Sequence, residues 1–200
     1  LWGVYVFLTV LLIGLLWIGP MNLYDAVNHA LTAISTGGYS TKNASIAYWH
    51  SAYIEYVITI FMFIGATNIT LIYFCLNGNI KKLFFDEEFR WFFWFVLIMT
   101  GITTGWIMYH GFFTDFPTAF RQAAFQVVTL VSTCGFATEN YIPWGPFFWM
   151  IALILMFICG CAGSTCGGLK MGRFVILSKN LFNEFKKQTH PHAIIPVRMD

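Results

Sequence analysis

The chain has 200 residues, 58% hydrophobic and 10% charged, with a formal net charge of +2. About a quarter of an ordinary soluble domain is charged, so this polar complement cannot wrap a soluble core, and the mean hydropathy of +0.68 makes lipid the expected solvent. The composition excludes a disordered tail, a disulfide scaffold and an ordinary soluble enzyme, and so small a net charge does not point to nucleic acid.

A bilayer core needs about 20 apolar residues in helix. Four segments are expected to span it: 2–18, 48–76, 89–109 and 145–172. The second is long enough to tilt, and the fourth is broken by glycines. The chain opens at Leu1 inside an apolar run, which reads as a piece of a longer membrane protein and not as a signal peptide. Between the spans lie two shorter helical stretches, 23–34 and 117–131, and neither can cross the hydrocarbon. Asn22 with Asp25 three positions on, and Asp115 before Pro117, are helix-start chemistry. Both stretches end in Ser-Thr followed by Gly or Cys-Gly. A short helix entering and a non-helical strand leaving describe a re-entrant loop, which is tolerated at membrane depth only where it lines a cavity.

The order span, re-entrant loop, span occurs twice, and the residues repeat with it. Residues 35–43 (STGGYSTKN) align with 132–140 (STCGFATEN) at an offset of 97, with five of nine pairs identical. Residues 62–64 (MFI) recur at 156–158. Nine of the eleven Lys and Arg lie in 77–90 or from Lys170 onward, while the motif loops hold only Lys42 and Arg121. The positive-inside bias therefore puts the motif loops outside and 77–90 and the C-terminal tail in the cytoplasm, with parallel repeats.

In Thr36-Gly37-Gly38-Tyr39, a glycine frees the backbone to turn carbonyls toward an axis. Successive carbonyls can replace the water shell of an alkali cation. The pore helix aims its partly negative C-terminal end at the same place, which favours a cation. Thr133-Cys134-Gly135-Phe136 repeats the design, and both are close to the Thr-Val-Gly-Tyr-Gly strand of potassium channels.

With 33–41 (AISTGGYST) and 161–170 (CAGSTCGGLK), the chain resembles the TrkH/KtrB family of potassium transporters, relatives of the plant HKT proteins, over nearly its whole length. The departures are Cys166, where a Gly is expected, and Cys134 in the second filter. The fold implied is an all-α membrane protein of tandem helix–pore loop–helix repeats, potassium-channel-like with re-entrant pore helices. Residues 1–77 stand as the second of four repeats, 78–88 as a cytoplasmic loop, 89–182 as the third repeat, and 183–200 as a cytoplasmic linker. The implied activity is K⁺ uptake across the bacterial inner membrane, with K⁺ bound by the carbonyls of the two strands. K⁺ is then the transported ion, with no cofactor and no enzyme activity. The implied partners are lipid, the remaining repeats of a longer chain, a second copy in a homodimer, and cytoplasmic nucleotide-binding subunits of the TrkA (RCK) type. A Na⁺ or mixed-cation pore is the alternative within this class.

Residues 160–168 carry four glycines in nine positions, each costing a helix about 1 kcal/mol. Composition leaves a mobile gate and close small-residue packing equally open. The resemblance favours a gate formed by Gly160, Gly163, Ser164, Thr165, Gly167, Gly168 and Lys170. Cys159, Cys161 and Cys166 fit no zinc spacing. A membrane-embedded thiol enzyme using them or Cys134 is a rival, but it lacks a base nearby in sequence and leaves the repeat unexplained. His190 and His192 are expected in an exposed tail. Glu55 and Asn68, inside a span, must line the pore or bond a neighbouring helix. His29 is expected to pack or hydrogen-bond.

Overall fold

The computed structural model describes residues 1–189 and is mostly helical. The expected first span is α1 (Trp2–Ile18), which is apolar on all sides. The first pore helix is α2 (Leu23–Ile34), which Asn22 caps by accepting the Asp25 amide at 2.7 Å. Then come α3 (Ala52–Gly65), α4 (Ile69–Leu76), α5 (Ile80–Phe85) and α6 (Glu87–Tyr109). The second pore helix is α7 (Phe116–Val131), with Pro117 in its first turn and no side-chain bond from Asp115. It is followed by α8 (Gly145–Phe157), the two-residue strands β1 (Ile158–Cys159) and β2 (Leu169–Lys170), and α9 (Met171–Thr189).

Two expected spans are not single helices. The segment 48–76 bends by 107° between α3 and α4. Asn68 sits at the break, its Oδ1 accepting the Thr70 amide at 2.8 Å. It caps a helix start and lies in no continuous span. After α8 the chain leaves helix, pairs β1 with β2 in parallel, and re-enters as α9. Among the described residues, α6 alone is long and apolar enough to cross a membrane by itself, and the bent pair makes a second if counted together; α1 is a shorter apolar helix. The stretch 78–88 is not a plain loop, since it holds α5 and the start of α6. Likewise α9 runs through 182 into the expected linker. His190 and His192 lie outside the described residues.

The centre is α7, where every residue from Phe125 to Ser132 is buried. It is flanked by α3, α6 and α8, while α2 packs between α1 and α3. The outward faces of α1, α6 and α8 stay apolar, with Trp2, Trp17, Trp94, Leu97, Trp149 and Leu153 exposed. The interior is mostly apolar as well, but it also buries polar side chains such as Asp25, Glu55, Gln122 and Gln126. The C-terminal ends of α2 and α7 meet inside it, where the Cys134 thiol reaches Thr32 O at 3.7 Å.

Candidate ion-conduction site

The chain leaves both pore helices in the same way. Ser35 and Ser132 end the helices, and Thr36 and Thr133 then take left-handed backbone angles, with φ of 54° and 55°. A β-branched residue rarely adopts this conformation, at a cost of about 1–3 kcal/mol. Backbone bonds hold it there. The amides of Gly37 and Gly38 both donate to Thr32 O, at 2.8 and 3.3 Å, and those of Cys134 and Gly135 donate to Thr129 O, at 3.1 and 3.3 Å. The Thr32 hydroxyl then donates to Tyr39 O at 2.9 Å, and the Thr129 hydroxyl to Phe136 O at 3.0 Å. Every one of these pairs obeys the offset of 97. The amides are thus turned back onto the helix end. Among the described residues no protein donor occupies the carbonyls of Thr36, Gly37, Gly38, Thr133, Cys134 or Gly135. The Tyr39 and Phe136 carbonyls differ in already accepting a hydroxyl.

The two strands also touch. A Cβ on Gly38, whose φ is +65°, would meet the carbonyl oxygen of Cys134 and come within 2.6 Å of its carbon. The buried Cys134 thiol lies 3.7 Å from Thr32 O. Phe136 is buried and stacks on His29 of the first pore helix at 5.7 Å, whereas Tyr39 is 79% exposed. Above the strands, Asn43, Ser45, His50, Glu139 and Asn140 line a shared cavity of about 510 Å³.

Polar residues back each strand. Thr41 donates to Asp25 Oδ1 at 2.5 Å, and Lys42 lies 3.7 Å from the other carboxylate oxygen. His29 Nδ1 lies 2.7 Å from the Asp25 carbonyl, which can only accept; Nδ1 therefore carries the proton, and Nε2 accepts from the Ser40 hydroxyl at 2.8 Å. Behind the second strand Thr138 donates to Gln122 Oε1 at 2.5 Å, and Gln122 Nε2 donates to Glu55 at 3.1 Å. Arg121 pairs with the same Glu55 oxygen at 2.7 Å, approaching off its N–H axis. Glu55 therefore bonds a neighbouring helix. Of these supports, Ser40, Thr41, Lys42 and Thr138 belong to the repeated motif, and Asp25, His29 and Glu55 stand out in the sequence by helix capping or by their place in a helix; Gln122 does not. The offset of 97 carried back along the pore helices finds it, as it pairs Asp25 with Gln122, His29 with Gln126 and Thr32 with Thr129.

The glycine-rich segment lies directly against both strands. The Thr36 hydroxyl reaches Thr165 O at 3.0 Å, and the Gly167 amide donates to the Thr133 hydroxyl at 2.9 Å. The Thr165 hydroxyl donates to Ile34 O at 3.0 Å and lies 3.2 Å from Gly65 O. Cys161 N donates to Ala66 O at 2.9 Å, and a Cβ on Gly160 would come within 3.1 Å of the Ala66 carbonyl carbon. Lys170 folds back into the loop, its ammonium 3.2 Å from Ser164 Oγ and bonded to Cys166 O. Cys159, Cys161 and Cys166 are buried free thiols. Among the described residues no group of three or more His, Cys, Asp or Glu is placed to hold a metal ion.

The family profile described as "Cation transport protein", TrkH, matches residues 1–200. This chain belongs to the TrkH family. The chain is 38% identical to the Trk system potassium uptake protein TrkH of Salmonella typhimurium over 200 residues, all of this chain and 41% of that protein. It is 37% identical to the protein of that name from Escherichia coli K12, over the same shares. The crystal structure of the potassium transporter TrkH from Vibrio parahaemolyticus superposes with a TM-score of 0.94 at 32% identity, covering 99% of this chain and 43% of that one. The chain therefore spans about two-fifths of the length of these TrkH-family relatives. Its helical pore-loop architecture is that of the family's transporters, a class of cation transport proteins and not of enzymes.

Proposed function

We propose that this chain supplies two of the four pore repeats of a potassium uptake permease. The carbonyls of Thr36, Gly37, Gly38 and Tyr39, and of Thr133, Cys134, Gly135 and Phe136, are its share of the ion ligands. One observation carries the reading: two strands with matching hydrogen bonds turn their amides away and, among the described residues, leave six adjacent carbonyls without protein donors. In a membrane such carbonyls need a partner, and a dehydrated cation is the partner whose charge they suit. Two strands make half of a four-fold ring, so further repeats must complete it. Phe136 seats on the first repeat's His29, and exposed Tyr39 awaits an equivalent seat on another repeat.

Residues 160–170 are the gate in this reading, because the loop hydrogen-bonds both filter threonines from below. The Lys/Arg bias puts the filter loops outside the inner membrane and α9 in the cytoplasm, where nucleotide-binding subunits of the TrkA type would act on a homodimer. Rb⁺ anomalous scattering from crystals of the full-length protein is the test. Peaks within coordination distance of the six carbonyls are expected, and an empty axis at saturating Rb⁺ would refute the assignment. The orientation is checked separately: a cysteine at Asn43 or Asn140 is labelled by an impermeant reagent from outside, and one at Asn79 only from the cytoplasm.

A further inference from the structure

We infer that Glu88 is the positioning residue that holds the 160–170 loop seated beneath the filter; the inference deepens the gate reading above and rests on it. Glu88 lies in the first turn of α6 and is 9% exposed. The helix has no need of it as a cap, because Asp86 Oδ1 already accepts the Phe89 amide at 2.8 Å. Instead, Glu88 Oε1 accepts two amides far along the chain, from Ala162 at 2.6 Å and Gly172 at 2.8 Å. Those two residues stand on either side of the segment that carries Thr165 and Gly167, the two residues bonded to the filter threonines.

A single carboxylate oxygen thus ties both feet of the loop to one rigid helix. The charge suits the place, because Gly172 opens α9 and a carboxylate at a helix N-terminus is favoured by the helix dipole. Bonds from amides to an ionised acceptor are shorter and stronger than neutral ones, and 2.6 Å is at the short end. The seat is also shaped for this contact: a Cβ on Gly172 would come within 2.9 Å of Glu88 Oε1. Neither the filter motif nor the glycine run contains this acid, which reaches the loop through tertiary packing alone. When the loop leaves its seat, both amides lose their acceptor, so Glu88 sets how firmly the loop stays closed.

The loop carries its own reporter, because Cys161 is fully buried. In full-length protein whose other cysteines are replaced by Ser, alkylation of Cys161 by a charged maleimide in inside-out vesicles reads the loop directly. Basal ⁸⁶Rb⁺ flux in the same vesicles reads conduction. Glu88→Ala is expected to raise the labelling rate at least tenfold and basal flux severalfold. Glu88→Gln, which keeps an oxygen acceptor without the charge, is expected to fall between it and the parent. Gly172→Ala, which pushes the carboxylate off the amides, should resemble Glu88→Ala, and these two variants carry the comparison if Glu88→Ala does not reach the membrane. Faster labelling with unchanged flux would support the seating role and overturn the gate reading instead. Labelling at the parent rate in Glu88→Ala or Glu88→Gln, at normal protein levels, would overturn the inference.

Discussion

The two strands that follow the pore helices share a backbone geometry and differ in much of the side-chain chemistry behind it. In both, one threonine carbonyl collects two amides and the same threonine's hydroxyl ties down the aromatic residue's carbonyl. Behind the first strand the support is ionic, with Asp25 bonded to Thr41 and near Lys42, and His29 bonded to Ser40. Behind the second an amide takes the place of Asp25, with Gln122 bonded to Thr138 and to Glu55, and the ion pair lies one step further back, between Glu55 and Arg121, while Glu139 replaces Lys42. Ala137 stands where Ser40 does, and among the described residues the Oε1 of buried Gln126 has no hydrogen-bond partner. Strand geometry is thus set by main-chain bonds that both repeats must keep. Side-chain chemistry drifts wherever another donor or charge can do the same job.

The largest effect is expected where the strands touch. Gly38→Ala combines a positive φ with a collision against the Cys134 backbone, so ⁸⁶Rb⁺ uptake by the full-length protein should fall more than tenfold at normal protein levels. Uptake near the parental level would mean the strands do not pack as described. Next comes Gln122→Glu, which sets a carboxylate against Glu55, where the amide now lies at 3.1 Å. Like charges so placed repel; we expect a thermal midpoint several degrees lower in detergent, whereas Asp25→Asn, which keeps an acceptor for Thr41, should cost much less. Equal losses would show that the two supports are not different in kind.

Gly135→Ser tests strain alone, since a Cβ there meets nothing within 4 Å but φ is +89°. Left-handed geometry costs a non-glycine residue roughly 1–2 kcal/mol, comparable to the 1.4 kcal/mol behind a tenfold change in affinity. Na⁺ should therefore compete with ⁸⁶Rb⁺ about tenfold better. Gly37→Ala, whose φ is not positive and whose nearest contact would be an ordinary 3.5 Å, should leave competition nearly unchanged. The smallest effect sharpens the comparison from the other side. Ala137→Ser offers Gln126 the hydroxyl that Ser40 gives His29, and one such bond is worth about 1 kcal/mol. Thermal melting should shift upward by a few degrees, and a downward shift would mean that the Gln126 side chain does not face position 137.

Much of this arrangement is legible in residues. The bounds of α1 and α2 follow from apolar run length and from Asn22, because capping is local chemistry that needs no partner outside the segment. The repeat, and with it the pairing of Thr36 with Thr133 and Gly38 with Gly135, is carried by spacing alone. The break between α3 and α4 is hidden in the sequence, although Gly65 and Asn68 mark it, because hydropathy records only that the residues are apolar. A kink is stable where something else satisfies the freed carbonyls, and here Thr165 N reaches Gly65 O at 3.4 Å and Cys161 N reaches Ala66 O at 2.9 Å. Those donors lie about a hundred residues downstream, so no window along the chain contains them. The same holds for Glu55 with Arg121 and Glu88 with Ala162. Local propensity and periodicity decided where α1, α2 and α7 are helix and which two strands repeat each other. Which buried charge meets which amide was decided only by tertiary packing, because it depends on distances between helices that the order of residues does not encode locally.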